Sequence, residues 1–134
     1  MTQTLSISDK YYFEVTKLLS SFKIPCDKIG YDYLRTAVLG CLEFSNLTKS
    51  MTKNLYPYIA QKFNTNVHHV ERNIRNVIQK AYENNGLLMI NEYIGFVVYQ
   101  NEYKFTNSEM IHTFLEIMRN HIKRRELETF SQFA

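Results

Sequence analysis

At 134 residues and 16.0 kDa, the chain is the size of one domain and leaves no room for a second of full size. Its 45% hydrophobic and 22% charged composition, with 10 Tyr and 9 Phe, excludes a disordered chain, while 2 Pro and 4 Gly give little punctuation for a many-turned β protein. A formal charge of +3 permits an anionic partner without demanding one, so the placement of the charges has to decide.

Residues 1–10 are polar and read as a flexible arm ahead of a domain over 11–125, with a tail at 126–134. From Tyr11 onward, apolar residues recur at helical spacing. Phe13, Val15, Leu18, Leu19 and Phe22 predict a short helix that ends before Pro25, because the residue preceding a proline is pushed out of the helical region. A second helix is expected from about Lys28 to Phe44, with Ile29, Tyr33, Leu34, Ala37, Val38, Cys41 and Leu42 on its buried side. The polar stretch Ser45-Asn46-Leu47-Thr48 breaks it. A third helix is expected over about 52–63, carried by Leu55, Ile59, Ala60 and Phe63. Asn64-Thr65-Asn66 favours a turn and an N-cap, and a fourth helix follows over about 66–84, stopped at Asn84-Asn85-Gly86. From Leu87 to Tyr103 the pattern fits a short helix followed by an extended piece, or a hairpin; the helix is the expectation. Thr106-Asn107-Ser108-Glu109 matches a capping box and opens a last helix through Met110, Ile111, Phe114, Leu115, Met118 and Ile122. That helix is expected to end at Lys123-Arg124-Arg125, where cations suit its negative pole. The fold class is all-α, with about six helices.

Two helices joined by a three- or four-residue turn are the layout of a helix-turn-helix. The composition of the fourth helix sharpens this weak signal. At about 100° per residue, Val70, Ile74, Val77, Ile78 and Ala81 share one arc that faces the core. The opposite direction is occupied by Arg72, flanked by His68, His69, Arg75, Asn76 and Gln79. This outer face carries guanidinium, amide and imidazole groups, which suit base edges in a major groove: arginine pairs bidentately with guanine, asparagine or glutamine with adenine. Glu71 can accept from cytosine or orient an arginine one turn away. Lys53, Lys62 and Lys80 flank the pair where phosphates would lie, with Thr65, Asn66, His68 and Gln79 as further backbone or flanking contacts. The plain alternative is the solvated face of an amphipathic helix. Such faces usually show Glu-Lys pairs at i,i+4, which are scarce here.

The segment from Val15 to Arg125 also resembles a known family. Its most specific stretches are Gly30-Tyr31-x-Tyr33-Leu34-Arg35, Leu55-Tyr56-Pro57-x-Ile59-Ala60-x-Lys62-Phe63-Asn64-Thr65, Val70-Glu71-Arg72-x-Ile74-Arg75 and Thr106-Asn107-Ser108-Glu109. These look like the C-terminal DNA-binding domain of the sporulation stage-zero A master response regulators. The resemblance implies an all-helical fold and binding to tandem promoter boxes resembling TGTCGAA. It also implies base reading by His69, Glu71, Arg72, Arg75 and Asn76. His69 stands where the family usually has arginine, and Asn76 where it usually has histidine, so the base preference is expected to differ while the docking mode is kept. The family joins this domain to a phosphorylated receiver. Only residues 1–14 precede the matching segment: the expectation is a natural stand-alone regulator without a receiver, not switched by its own phosphorylation, and the alternative is a piece of a longer protein whose receiver has been removed.

The expected partner is double-stranded DNA, with a second copy in tandem on DNA or a full-length sporulation regulator as further partners. The alternative reading is a protein-interaction module that binds that regulator and antagonises it. Met89, Tyr93, Ile94 and Tyr99 either complete the core, the commoner case, or form a protein interface; the resemblance implies head-to-tail contacts through this end. His68 and His69 are adjacent, so they diverge by about 100° on a helix and do not chelate one metal together. No nucleophile-base arrangement, carboxylate pair or Gly-rich phosphate loop is present, so neither an enzyme, a cofactor nor a metal is expected. Cys26 and Cys41 lack disulfide or metal spacing and are read as buried small hydrophobes in a reducing compartment. With no signal-peptide pattern and no apolar run of about 18–20 residues, a cytoplasmic, nucleoid-associated protein is expected, without a membrane partner.

Overall fold

The structure is a computed structural model that describes residues 4–133. Among the described residues the chain folds into six α-helices and no β-strand. The first, α1 (Ile7–Ser21), starts earlier than its apolar pattern suggests, because Ser6 is an N-cap whose hydroxyl accepts from the Asp9 N–H at 3.1 Å. Residues 7–10, expected in a flexible arm, therefore belong to a helix; residues 1–3 of that arm lie outside the described part. Tyr11, Val15, Leu18 and Leu19 face inward, whereas Phe13, about 200° from Tyr11, is 73% exposed. The helix ends in a Schellman turn: Ile24 N–H returns to Leu19 C=O at 3.1 Å and Lys23 N–H to Ser20 C=O at 3.0 Å, with Lys23 left-handed.

The second helix, α2 (Ile29–Glu43), is buried on almost every side. Tyr31, Tyr33, Leu34, Ala37, Val38, Leu39 and Cys41 are all in the core, and α1, α3, α4 and α6 pack around it. Ile29, expected inside, is exposed, since the first helical residue lies beyond the packed cylinder. Cys41 is buried as expected. Cys26 is exposed, because it sits in the turn between α1 and α2 rather than on a helix face.

The segment read as a polar break is a 3₁₀ turn, Ser45–Lys49, with Leu47 buried. A π-helical turn, Met51–Leu55, then leads into α3 (Tyr56–Lys62), so the regular helix is shorter than expected. Pro57 gives the reason. It has no N–H to donate to Lys53 C=O, and its ring crowds that carbonyl, so the ladder widens ahead of it. A second Schellman turn closes α3. Thr65 N–H returns to Ala60 C=O at 2.9 Å, and Asn64 takes the left-handed position. Asn66 then caps α4 (Val67–Glu83), its side chain accepting from the His69 N–H at 2.8 Å. The stripe Val70, Ile74, Val77, Ile78 and Ala81 is buried, as its spacing predicts.

Asn85, left-handed, stops α4, and a 3₁₀ turn leads to α5 (Met89–Ile94). Beyond α5 the chain is irregular up to α6, with no strand and so no hairpin among the described residues. The Asn91 amide pins it, accepting from Val98 and Tyr99 N–H at 2.9 and 3.1 Å and donating to Tyr99 C=O at 2.8 Å. The capping box opens α6 (Asn107–Phe133): Thr106 N–H donates to the Glu109 carboxylate at 2.9 Å, and Glu109 N–H to the Thr106 hydroxyl at 3.1 Å. Met110, Ile111, Phe114, Leu115 and Met118 enter the core, where Phe114 meets Phe22 edge-on at 5.0 Å. The helix does not stop at Lys123-Arg124-Arg125. It continues to Phe133 through residues assigned to the tail, because no glycine or proline interrupts it and Arg125 pairs with Glu14 of α1 at 3.1 Å. Lys123-Arg124-Arg125 are thus mid-helix side chains, not a C-terminal cap.

Candidate nucleic-acid interface

Helices α3 and α4, with the turn over 63–66, form the helix-turn-helix pair, and α2 and α6 hold it from behind. Gly30 sets the approach of α2 to α4: a Cβ there would lie 2.2 Å from the Asn73 carbonyl oxygen. At the other side Asn107 donates to Glu71 C=O at 3.0 Å and to the Tyr56 hydroxyl at 3.3 Å, tying the start of α6 to both helices of the pair. The outward face of α4 is therefore carried on a backbone fixed at two points.

On that face His68, Arg72, Arg75 and Asn76 are exposed, and His69, Glu71 and Gln79 are half-buried. Asn66, His68, His69, Glu71, Arg72 and Arg75 share one shallow hollow of about 430 Å³. Arg75 is ion-paired with Glu71 one turn away. Arg72 has neither a hydrogen bond nor an ion pair among the described residues, so its guanidinium is open to an incoming group. Asn76 and Gln79 lie apart from this group, around a second hollow with Lys28, Asn73 and Lys80. Gln79 is turned along the helix to Glu83, at 3.1 Å.

His69 is held more tightly than an outward position suggests. Its Nδ1 is 2.9 Å from the Tyr33 hydroxyl, and its ring meets the Tyr33 ring edge-on at 5.7 Å. Of the flanking lysines, Lys53 is exposed in the π-helical turn, Lys62 lies over the Tyr58 ring at 5.3 Å, and Lys80 is 3.8 Å from Glu83. Thr65 is half-buried in the turn.

Sequence reasoning missed four residues here. Lys28 and Lys104 border the hollows beside α4, yet both are distant from it in sequence. Asn107 was visible only as the second residue of a capping box. Tyr33 carried the periodicity of a core position and nothing that marked its hydroxyl.

At the far end, the expected interface residues separate. Tyr93 and Ile94 are exposed, next to Phe96, Val97 and Val98. Met89 is half-buried against the core, and Tyr99 is 4% exposed, so Tyr99 is not available to a partner. The Asn91 clamp turns Tyr99 inward, and its hydroxyl donates to Tyr103 C=O at 2.5 Å. Burial pushes this phenol up to about 12, with Tyr82, Glu102 and Tyr103 adding to the rise. Among the described residues no three His, Cys, Asp or Glu gather as a metal site, and no helix is long and apolar enough to cross a membrane.

The family model described as "Sporulation initiation factor Spo0A C terminal" matches residues 15–118, which include all of α2 to α5 and the buried half of α6. That family is one of DNA-binding domains and not of enzymes. With its all-helical fold and its helix-turn-helix pair, the chain belongs to the Spo0A C-terminal family, the DNA-binding effector domains of response regulators that govern transcription in sporulation.

Proposed function

We propose that the protein is a sequence-specific regulator that lays α4 in the major groove of TGTCGAA-like promoter boxes. The observation that carries this reading is the guanidinium of Arg72, without a partner among the described residues and exposed at the centre of a face made of planar hydrogen-bonding groups. In this reading Arg72 pairs with a guanine, Arg75 is aimed by Glu71 at a neighbouring base or phosphate, and His69 and Asn76 modify the preference. Thr65, Asn66, His68, Gln79, Lys53, Lys62 and Lys80, joined by Lys28 and Lys104, border the groove and neutralise phosphates. Since α4 already presents this face in the domain itself, binding does not require phosphorylation of the chain. The test is a titration of a TGTCGAA-like duplex against a scrambled one at about 150 mM salt, with the salt slope counting phosphate contacts. Equal affinity for both duplexes would overturn the sequence-specific reading.

A second reading draws on the exposed apolar residues Tyr93, Ile94, Phe96, Val97 and Val98. In it the chain joins a full-length regulator through this end and blocks it. Co-purification with that regulator, lost on changing Phe96 and Val97 to Ser, is the expected sign; DNA binding alone with no association would exclude it.

A further inference from the structure

The bond between Tyr33 and His69 joins positions 36 residues apart and lies beneath the first turn of α4. His69 is fixed there at three places. Its N–H is capped by Asn66, its C=O accepts from the Asn73 amide at 2.7 Å, and its ring Nδ1 meets the Tyr33 hydroxyl. Tyr33 itself has no freedom to turn: it is 2% exposed, and its ring stands edge-on to Phe63 at 5.0 Å. Among the described residues its hydroxyl has no other partner.

A buried phenol with a single partner places its hydrogen on that partner. The Nδ1 of His69 then accepts, and the hydrogen of the neutral imidazole sits on Nε2. That nitrogen has no protein partner among the described residues and is not shut away from solvent, and the residue lines the hollow beside Arg72 and Arg75. We propose that Tyr33 is a positioning residue for DNA reading: by donating to Nδ1 it locks the ring of His69 and makes Nε2–H an outward donor that reads a guanine. The proposal rests on α4 being the reading helix. Guanine is the base chosen because its major-groove edge offers two adjacent acceptors, whereas cytosine presents a donor there.

Three measurements test it. In the free protein, the ¹⁵N shifts of the His69 imidazole are expected to show Nδ1 unprotonated and Nε2 protonated; the opposite tautomer overturns the proposal without any DNA. Tyr33→Phe keeps the ring against Phe63 and removes only the hydroxyl. It is expected to weaken binding to the preferred box roughly tenfold, to leave a scrambled duplex unchanged, and to flatten the preference for guanine over cytosine at one base pair. His69→Gln carries its own amide donor, so adding Tyr33→Phe to it is expected to change nothing further, the signature of a shared pathway. If Tyr33→Phe binds the box and its base-swapped forms as the parent does, the couple plays no part in reading. If it weakens box and scrambled duplex equally, the contact is to phosphate and the guanine assignment fails. A parent protein that prefers no box at all would instead overturn the reading of α4, and that result is seen before any variant is made.

Discussion

Arg72 and Arg75 are three residues apart on one helix, yet they meet different surroundings. Arg75 is tied to Glu71, and Arg72 has no such tie among the described residues. An open guanidinium has no protein contact to give up when it meets a base, and a bidentate pair with guanine discriminates by about 1–3 kcal/mol. Arg72→Ala is therefore expected to weaken the preferred box by about 1–3 kcal/mol, roughly five- to more than a hundredfold, while the melting temperature stays within about a degree. Binding isotherms beside a thermal melt check both halves. This face was legible in the sequence because an amphipathic helix separates its two sides by arithmetic alone. The Tyr33–His69 bond was not, since it depends on how two distant helices cross. Tyr99 lies in the core, the commoner of the two cases its pattern left open; what settles its direction is the side chain of Asn91, and periodicity carries no information about that amide.

Among the elements, the crossing of α2 and α4 is set by the absence of a side chain. A methyl group at Gly30 would collide with the Asn73 carbonyl and with Val77 at 2.8 Å. Backbone gives way less readily than a side-chain tip, so Gly30→Ala is expected to destabilise by about 1–3 kcal/mol and to lower affinity for DNA beyond what unfolding explains. Chemical denaturation and a binding titration well below the melting temperature separate the two effects. The capping box offers a milder test. Thr106→Ala removes the acceptor of the Glu109 N–H and is expected to cost about 1 kcal/mol, read as a shift in denaturation midpoint at unchanged slope. Helix starts were legible because caps are short and local. Two things were not: the π-helical turn, a response to the carbonyl that Pro57 leaves without a donor, and the end of α6, which has no local stop signal.

At the scale of the whole molecule, stability should depend on alkaline pH. Burial raises the Cys41 thiol from 9.0 to about 11, and burial raises the Tyr99 phenol from 10.0 to about 12. Both groups are neutral acids held more firmly in the folded than in the unfolded chain. Their contribution is full below the unfolded values and falls as pH rises from 9.0 toward about 11 for Cys41 and from 10.0 toward about 12 for Tyr99. Urea midpoints are expected to drop between about pH 8 and about pH 10.5, and to drop less in Cys41→Ala, with both readings taken relative to the variant's own value at about pH 8. The all-helical class was legible from spacing and scarce punctuation, but the order of packing around α2 was not, because near-continuous apolarity marks a central helix without naming its neighbours. The close approach at Gly30 sets the pose of α4, the helix proposed to face DNA, through main chain rather than through any of the outward side chains. If α4 is the reading helix, an outward substitution can therefore rewrite the alphabet of the recognised site and leave the docking angle unchanged.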